Sequence, residues 1–161
     1  MIGQQIHDKL ITDFAALTFE DATPLFGNVK KFYRQNSMEG RDCLILPNSN
    51  TENVDGESAG NFQTTRMYGF RMIAIEEIEA ADDDDEGAIK YSRLMNIQDT
   101  VLDYLQKEPS NLNSWGDANS ITIYKIRLGS VRWDTQPTEG GYVSLLDIPF
   151  TVFLNVIPQN L

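Results

Sequence analysis

The chain has 161 residues with a hydrophobic fraction of 41% and a formal net charge of -11, which is the size and composition of one acidic globular domain. It contains no apolar run near the roughly 20 residues that cross a bilayer, no basic and apolar leader at its start, and no basic cluster of the kind that binds nucleic-acid phosphates. We therefore expect residues 1–161 to form one domain that is made in a cytoplasm, with no membrane partner and no specific binding of DNA.

The residues that most often carry chemistry are scarce. The single cysteine, Cys43, excludes an intrachain disulfide and a cysteine-based zinc site. It precedes Leu44, Ile45 and Leu46, so we expect a small buried apolar residue. The single histidine, His7, has the setting of an ordinary surface residue on a helix. Because a nucleophile needs a nearby base, we predict that the protein is not an enzyme and that it has no cofactor and no metal.

The first third of the chain predicts one helix and two short strands. Apolar residues between positions 2 and 17 recur at spacings of three and four and share one stripe of an amphipathic helix. They are Ile2, Ile6, Leu10, Phe14 and Leu17. The composition of residues 29–35 and 43–46 predicts two strands, and the turn-forming residues 36–40 between them predict a hairpin.

The middle of the chain alternates polar loops with long regular elements. Residues 48–61 have almost no apolar content and predict a long exposed loop. Residues 62–77 predict a long strand with some apolar residues on both faces. An acidic loop over 80–87 precedes a second predicted helix over 88–107, and Pro109 lies just beyond its end. The apolar stripe of this helix consists of Tyr91, Leu94, Ile97, Val101, Leu102 and Leu105.

The last third predicts a loop over 110–119 and then a hairpin of two long strands, 121–133 and 142–157. Pro149 removes one hydrogen-bond donor from the second strand, so this strand is expected at a sheet edge or with a bulge. The order of elements predicts an α+β fold, in which a mainly antiparallel β-sheet packs two α-helices on one face and carries long polar loops. The expected core contains Leu10, Phe14, Leu94, Val101, Leu105, Phe150, Val152 and Leu154.

Eight carboxylates near the start of the second helix form the first candidate site. They account for -8 of the net charge of -11. Their consecutive spacing, with the glycine last, does not match an EF-hand calcium loop. Part of the run stabilises the N-terminus of the helix through its dipole, and the rest is either a solvated loop or an electrostatic surface for assembly. The eight are Glu76, Glu77, Glu79, Asp82, Asp83, Asp84, Asp85 and Glu86.

Two tryptophans form the second candidate site. Trp115 lies in a predicted loop and Trp133 lies at the end of a predicted strand. Tryptophan is enriched at interface hot spots, so either residue could anchor a partner. Each could equally cover the edge of the core, and the sequence leaves both readings open.

The layout of the chain resembles the tail-completion and tail-terminator proteins of long-tailed bacteriophages. The segments that carry this resemblance are the N-terminal amphipathic helix, the long strand over 65–75, the helical segment over 96–105 and the apolar terminal strand over 141–153. The resemblance covers nearly the whole chain and is one of pattern, without a diagnostic motif.

This resemblance implies a structural protein of the virion that is assembled in the host cytoplasm. It implies a homomeric ring, expected to be a hexamer, that completes the tail tube and joins it to the head. The implied partners are other copies of the chain, the tail tube protein and the head–tail connector, with DNA passing through unbound. Two other classes stay open: another neck or tail component, such as a head–tail adaptor or tube-like protein, and an enzyme or small-molecule binder.

Overall fold

The computed structural model of the chain describes residues 2–31, 41–48, 53–54, 64–79, 81–111 and 121–156. These residues form two helices and seven strands, and all the strands belong to one sheet. In chain order the elements are α1 (Ile2–Ala15), β1 (Asn28–Lys30), β2 (Asp42–Pro47), β3 (Asn53–Val54), β4 (Thr64–Glu79), α2 (Asp84–Asn111), β5 (Ile121–Leu128), β6 (Arg132–Thr138) and β7 (Gly141–Val156).

The two longest strands form the centre of the sheet. β4 and β7 pair antiparallel along their whole length, from Thr64 opposite Val156 to Glu79 opposite Gly141. The strand order is β1-β2-β4-β7-β5, β3 also pairs with β4, and β6 pairs with the first half of β7 while β5 pairs with the second half. The predicted α+β fold with a mainly antiparallel sheet is therefore confirmed.

Both helices pack on the same face of the sheet. Alternate side chains of β7, from Leu146 to Leu154, are buried on that face together with residues of α1 and α2 in one hydrophobic cluster. The two helices also contact each other, because the Tyr104 hydroxyl donates a hydrogen bond of 2.5 Å to Asp13 and its ring packs edge-on against Phe14. All the core residues expected from the sequence are buried: Leu10, Phe14, Leu94, Val101, Leu105, Phe150, Val152 and Leu154.

The predicted hairpin between the first two strands is wrong, because β1 and β2 are parallel. The side chain of Asp42 gives the physical reason. Asp42 is fully buried, and its carboxylate accepts hydrogen bonds from Asn28 at 3.2 Å and from Lys30 at 2.8 Å. Both donors lie on β1, so their hydrogen bonds hold β1 beside the start of β2, and the register there is parallel. The predicted turn at residues 36–40 lies outside the described residues.

The second helix is longer than predicted at both ends. It begins at Asp84, so the acidic segment 80–87 is only in part a loop, and it continues past Pro109 to Asn111. Tyr91 is 41% exposed and lies beside the apolar stripe, not in its centre. The predicted loop over 48–61 contains the short strand β3, which pairs with β4. Most of the other residues of this predicted loop lie outside the described residues.

Pro149 is not in an edge strand, because β7 has a partner on both sides. The predicted strand over 121–133 is instead divided by residues 129–131 into β5 and β6, and this break lies opposite Pro149. In the described part of the chain, no helix has the length and apolar character needed to span a membrane.

Candidate functional site

Two of the candidate carboxylates shape the start of α2. The side chain of Asp83 accepts the backbone amide of Glu86 at 2.8 Å, which is the N-cap contact for a helix that begins at the next residue. Asp82 accepts the amide of Glu79 at 2.9 Å and the ammonium of Lys90 at 2.5 Å. The Lys90 hydrogen bond is the main cause of the lowered pKa of Asp82. These two acids therefore fold the turn between β4 and α2.

Three further acids of the run form the first turn of α2. Asp84, Asp85 and Glu86 are exposed there, where negative charge interacts favourably with the helix dipole. Glu77 and Glu79 are exposed at the end of β4. The surface of the free chain thus carries an acidic band at this end of the sheet. Among the described residues, no group of three or more histidines, cysteines and acids has an arrangement that could hold a metal ion.

Glu76 differs from the other candidate acids because it is buried. Only 3% of its surface is exposed, and Oε1 accepts a hydrogen bond of 2.7 Å from Arg93. Oε2 is buried without a hydrogen-bond partner. Burial raises the pKa of Glu76, and the nearby charges of Arg93, Arg41 and Lys90 oppose that rise. Glu76 belongs to the interior under α2 and not to the acidic surface.

Trp133 lies at the edge of the sheet and contacts α2. Its side chain is 42% exposed, and its indole nitrogen donates a hydrogen bond of 2.8 Å to Gln98. Tyr91 precedes Gln98 by seven residues and therefore lies on the same side of α2; it is also exposed, as is Tyr142 at the start of β7. Trp133 therefore presents a partly exposed ring at the edge of the sheet, held in place by its hydrogen bond to α2. Trp115 lies outside the described residues.

A basic and aromatic patch on β5 was not predicted from the sequence. Lys125 and Arg127 are both exposed, and their charged groups lie 5.5 Å and 5.3 Å from the centroid of the Phe153 ring. Such distances allow cation–π attraction. Neither cation has an ion-pair partner among the described residues. The pairing of β5 with β7 shifts in register between Ile123 and Lys125, and this shift places the two cations beside Phe153. We found no residue pattern in the sequence that predicts the shift.

A groove of about 910 Å³ lies at the opposite side of the molecule, between α2 and the turn after α1. Arg41 forms one wall: it has φ of 70°, and its guanidinium donates to the Pro24 carbonyl at 2.7 Å. Carboxylates outnumber guanidinium groups in this groove. Its charged lining residues are Glu20, Asp21, Arg41, Arg93, Asp99 and Asp103.

The lone histidine and the lone cysteine have structural settings. His7 is half-buried, and its Nε2 donates a hydrogen bond of 2.6 Å to the carbonyl of Ile45, so it joins α1 to β2. Cys43 is fully buried as expected, and burial raises the pKa of its thiol well above the usual value. A thiol in that state is a poor nucleophile.

These features define an α+β domain with helices on one face of its sheet, a basic patch at one sheet edge and an acidic groove at the other. No protein-family model matches the chain. No curated protein matches it in sequence.

Proposed function

We propose that the chain is a structural protein of a long-tailed bacteriophage. It assembles as a homomeric ring, expected to be a hexamer, at the head-proximal end of the tail, where it completes the tail tube and joins it to the head. The layout that resembles tail-completion and tail-terminator proteins motivates this proposal. The fold is compatible with it, because a small domain with two different sheet edges can repeat one contact around a ring.

One observation carries the proposal: the edge of the sheet at β6 is open. All seven residues of β6 are exposed, and among the described residues β6 pairs with β7 alone. An edge strand of this kind presents unpaired amide and carbonyl groups to another chain. Trp133 on this strand and Tyr142 beside it add exposed aromatic surface. Aromatic side chains are enriched at the cores of protein interfaces.

The acidic surface supports a second part of the proposal, the passage of DNA through the ring without specific binding. Glu77, Glu79, Asp84 and Asp85 are exposed at one end of the sheet. If this end faces the lumen, its carboxylates repel phosphates and avoid the salt-dependent grip that lysine and arginine produce. The partners in this arrangement are the tail tube protein on one side and the head–tail connector on the other.

Removal of the gene from the phage genome tests the proposal. The expected particles are unjoined heads and tails, or tails of uncontrolled length, and expression of the intact chain in trans restores complete virions. Normal virions without the gene would contradict the proposal. A chain found in purified virions but away from the head–tail junction would favour the alternative neck or tail component. Absence from virions would favour a binder or an enzyme.

A further inference from the structure

The basic patch and the acidic groove lie at opposite edges of the sheet. The patch belongs to β5, the last strand on one side of the order β1-β2-β4-β7-β5. The groove is bordered by Arg41, which directly precedes β2 and whose carbonyl accepts the amide of Gly27 at 2.9 Å next to β1. Two surfaces so placed cannot meet within one copy, but they can meet between neighbouring copies.

The patch brings together two cations that form no salt bridge with any residue that the structure describes. Half of the described lysines and arginines form salt bridges within the chain: Lys9, Lys30, Lys31, Arg71, Lys90 and Arg93. Lys125 and Arg127 instead lie exposed against the ring of Phe153. A partner surface that carries carboxylates and some apolar area would be complementary to this patch, because the carboxylates attract the two cations and the apolar area packs against the ring.

The groove has that composition. Asp99 and Asp103 are exposed on α2, one turn apart, and Glu20 and Asp21 face them from the turn after α1. Hydrogen bonds from the side chain and the backbone amide of Thr23 lower the pKa of Asp21, which favours its ionised form. Apolar area comes from two other lining residues, Phe19 and Ile89, of which Ile89 is 61% exposed.

The two arginines of the groove do not cancel this negative character. Arg93 forms a hydrogen-bonded ion pair with the buried Glu76. Arg41 donates to the Pro24 carbonyl and lies close enough to Glu76 to lower its pKa. Both guanidinium groups are therefore directed in part to groups of their own chain. The exposed carboxylates remain available to a cationic partner.

We propose that Lys125 and Arg127 of one copy dock against Asp99 and Asp103 in the groove of the next copy. This inference rests on the proposed ring and names its repeating contact. The contact is heterologous, so each copy uses its patch on one neighbour and its groove on the other until the ring closes. The occupant of the patch is a second copy and not nucleic acid, because a chain with net charge -11 repels phosphates at long range.

A charge exchange in the full-length chain tests the contact. The variants are Lys125→Glu with Arg127→Glu, Asp99→Lys with Asp103→Lys, and the combination of all four. Each double variant should raise the protein concentration at half-assembly on the order of tenfold, because attraction between exposed charges becomes repulsion. The fourfold variant should return to within about threefold of the wild type, since the charges are again complementary. Native mass spectrometry across a concentration series provides the measurement.

A matched control separates the contact from net charge. Asp8→Lys with Glu139→Lys changes the charge as much as the groove variant does, and both residues are exposed outside the groove, the patch and the acidic run, so its assembly should be that of the wild type. Rings that tolerate all the variants would overturn the docking contact and leave the ring itself standing. A wild-type chain that stays monomeric and absent from virions would instead overturn the proposed function. Binding of duplex DNA that requires Lys125 and Arg127 would identify the patch as a nucleic-acid site and overturn the inference.

Discussion

The backbone amide of Gly129 donates a hydrogen bond of 2.7 Å to the carbonyl of Pro149. In an antiparallel sheet the amide and the carbonyl of one residue point to the same neighbouring strand. Pro149 therefore directs its missing donor to the side of β5 and β6, at the point where residues 129–131 interrupt these strands. Its pairing with β4 loses no hydrogen bond, which explains how a proline is tolerated in a central strand.

Gly129 should be intolerant of a side chain. A Cβ atom at this position would lie 2.8 Å from Cγ and 3.2 Å from the carbonyl oxygen of Pro149. We expect Gly129→Ala to lower the free energy of unfolding by about 1–3 kcal/mol, because the backbone of β7 must shift. Gly140→Ala is the control, since a Cβ there meets no atom within 4 Å. Urea denaturation followed by circular dichroism measures both, and equal stabilities would contradict the account.

The faces of the long strands were predictable from the sequence, because alternation depends only on neighbouring residues along one strand. That is why Phe150, Val152 and Leu154 were correctly placed in the core. The partner of each strand was less predictable, since it depends on contacts between distant residues. The buried carboxylate of Asp42 holds β1 beside β2, and burial of an aspartate cannot be inferred from its local sequence.

Asp83 should contribute more to stability than the other exposed acids of its run. Its side chain caps α2 through the amide of Glu86. We expect Asp83→Ala to lower the free energy of unfolding by about 1 kcal/mol. Asp83→Ser should retain most of that energy, because serine also caps helices. Asp85→Ala should cost only a few tenths of a kcal/mol through the helix dipole. A larger loss at Asp85 than at Asp83, in thermal denaturation, would refute this assignment.

Glu76 should make stability depend on pH in a defined direction. Burial raises the pKa of Glu76 in the folded chain above its value in the unfolded chain. The contribution of Glu76 to the free energy of unfolding is therefore fully present at low pH, where the carboxyl is protonated in both the folded and the unfolded chain. This contribution is lost as pH rises through the pKa of the folded chain. Glu76→Gln removes this titration. We expect the free energy of unfolding of the variant, relative to wild type, to increase between pH 3.5 and pH 7. A relative decrease over the same range would show that the ion pair with Arg93 outweighs burial.

Cys43 should be protected from thiol reagents in the folded chain. It is fully buried, and burial raises the pKa of its thiol. Labelling should proceed roughly a thousandfold more slowly than in 6 M guanidinium chloride, because it requires a rare opening of the core. The chain has no second cysteine, so absorbance of the released reagent reports on this residue alone. Rapid labelling of the native chain would contradict the described position of β2.

The candidate site could be predicted from the sequence less well than the fold. The acidic run was visible as a charge pattern, but its division into a turn, a helix cap and a surface depends on side-chain contacts such as that of Asp82 with Lys90. The same limit applies to the patch and the groove. Lys125 and Phe153 are 28 positions apart and are brought together only by the strand register. Asp99 and Asp21 line the same groove only because α2 lies beside the turn after α1.

Native mass spectrometry of the full-length chain, over a concentration series, tests the central proposal most directly. We expect one closed oligomer of defined stoichiometry, a hexamer, that forms with rising protein concentration. Added salt should weaken it, because the proposed contact is between charges. Electron microscopy of the same samples should show rings. A chain that remains strictly monomeric at every concentration, and that is missing from purified virions, would contradict the account.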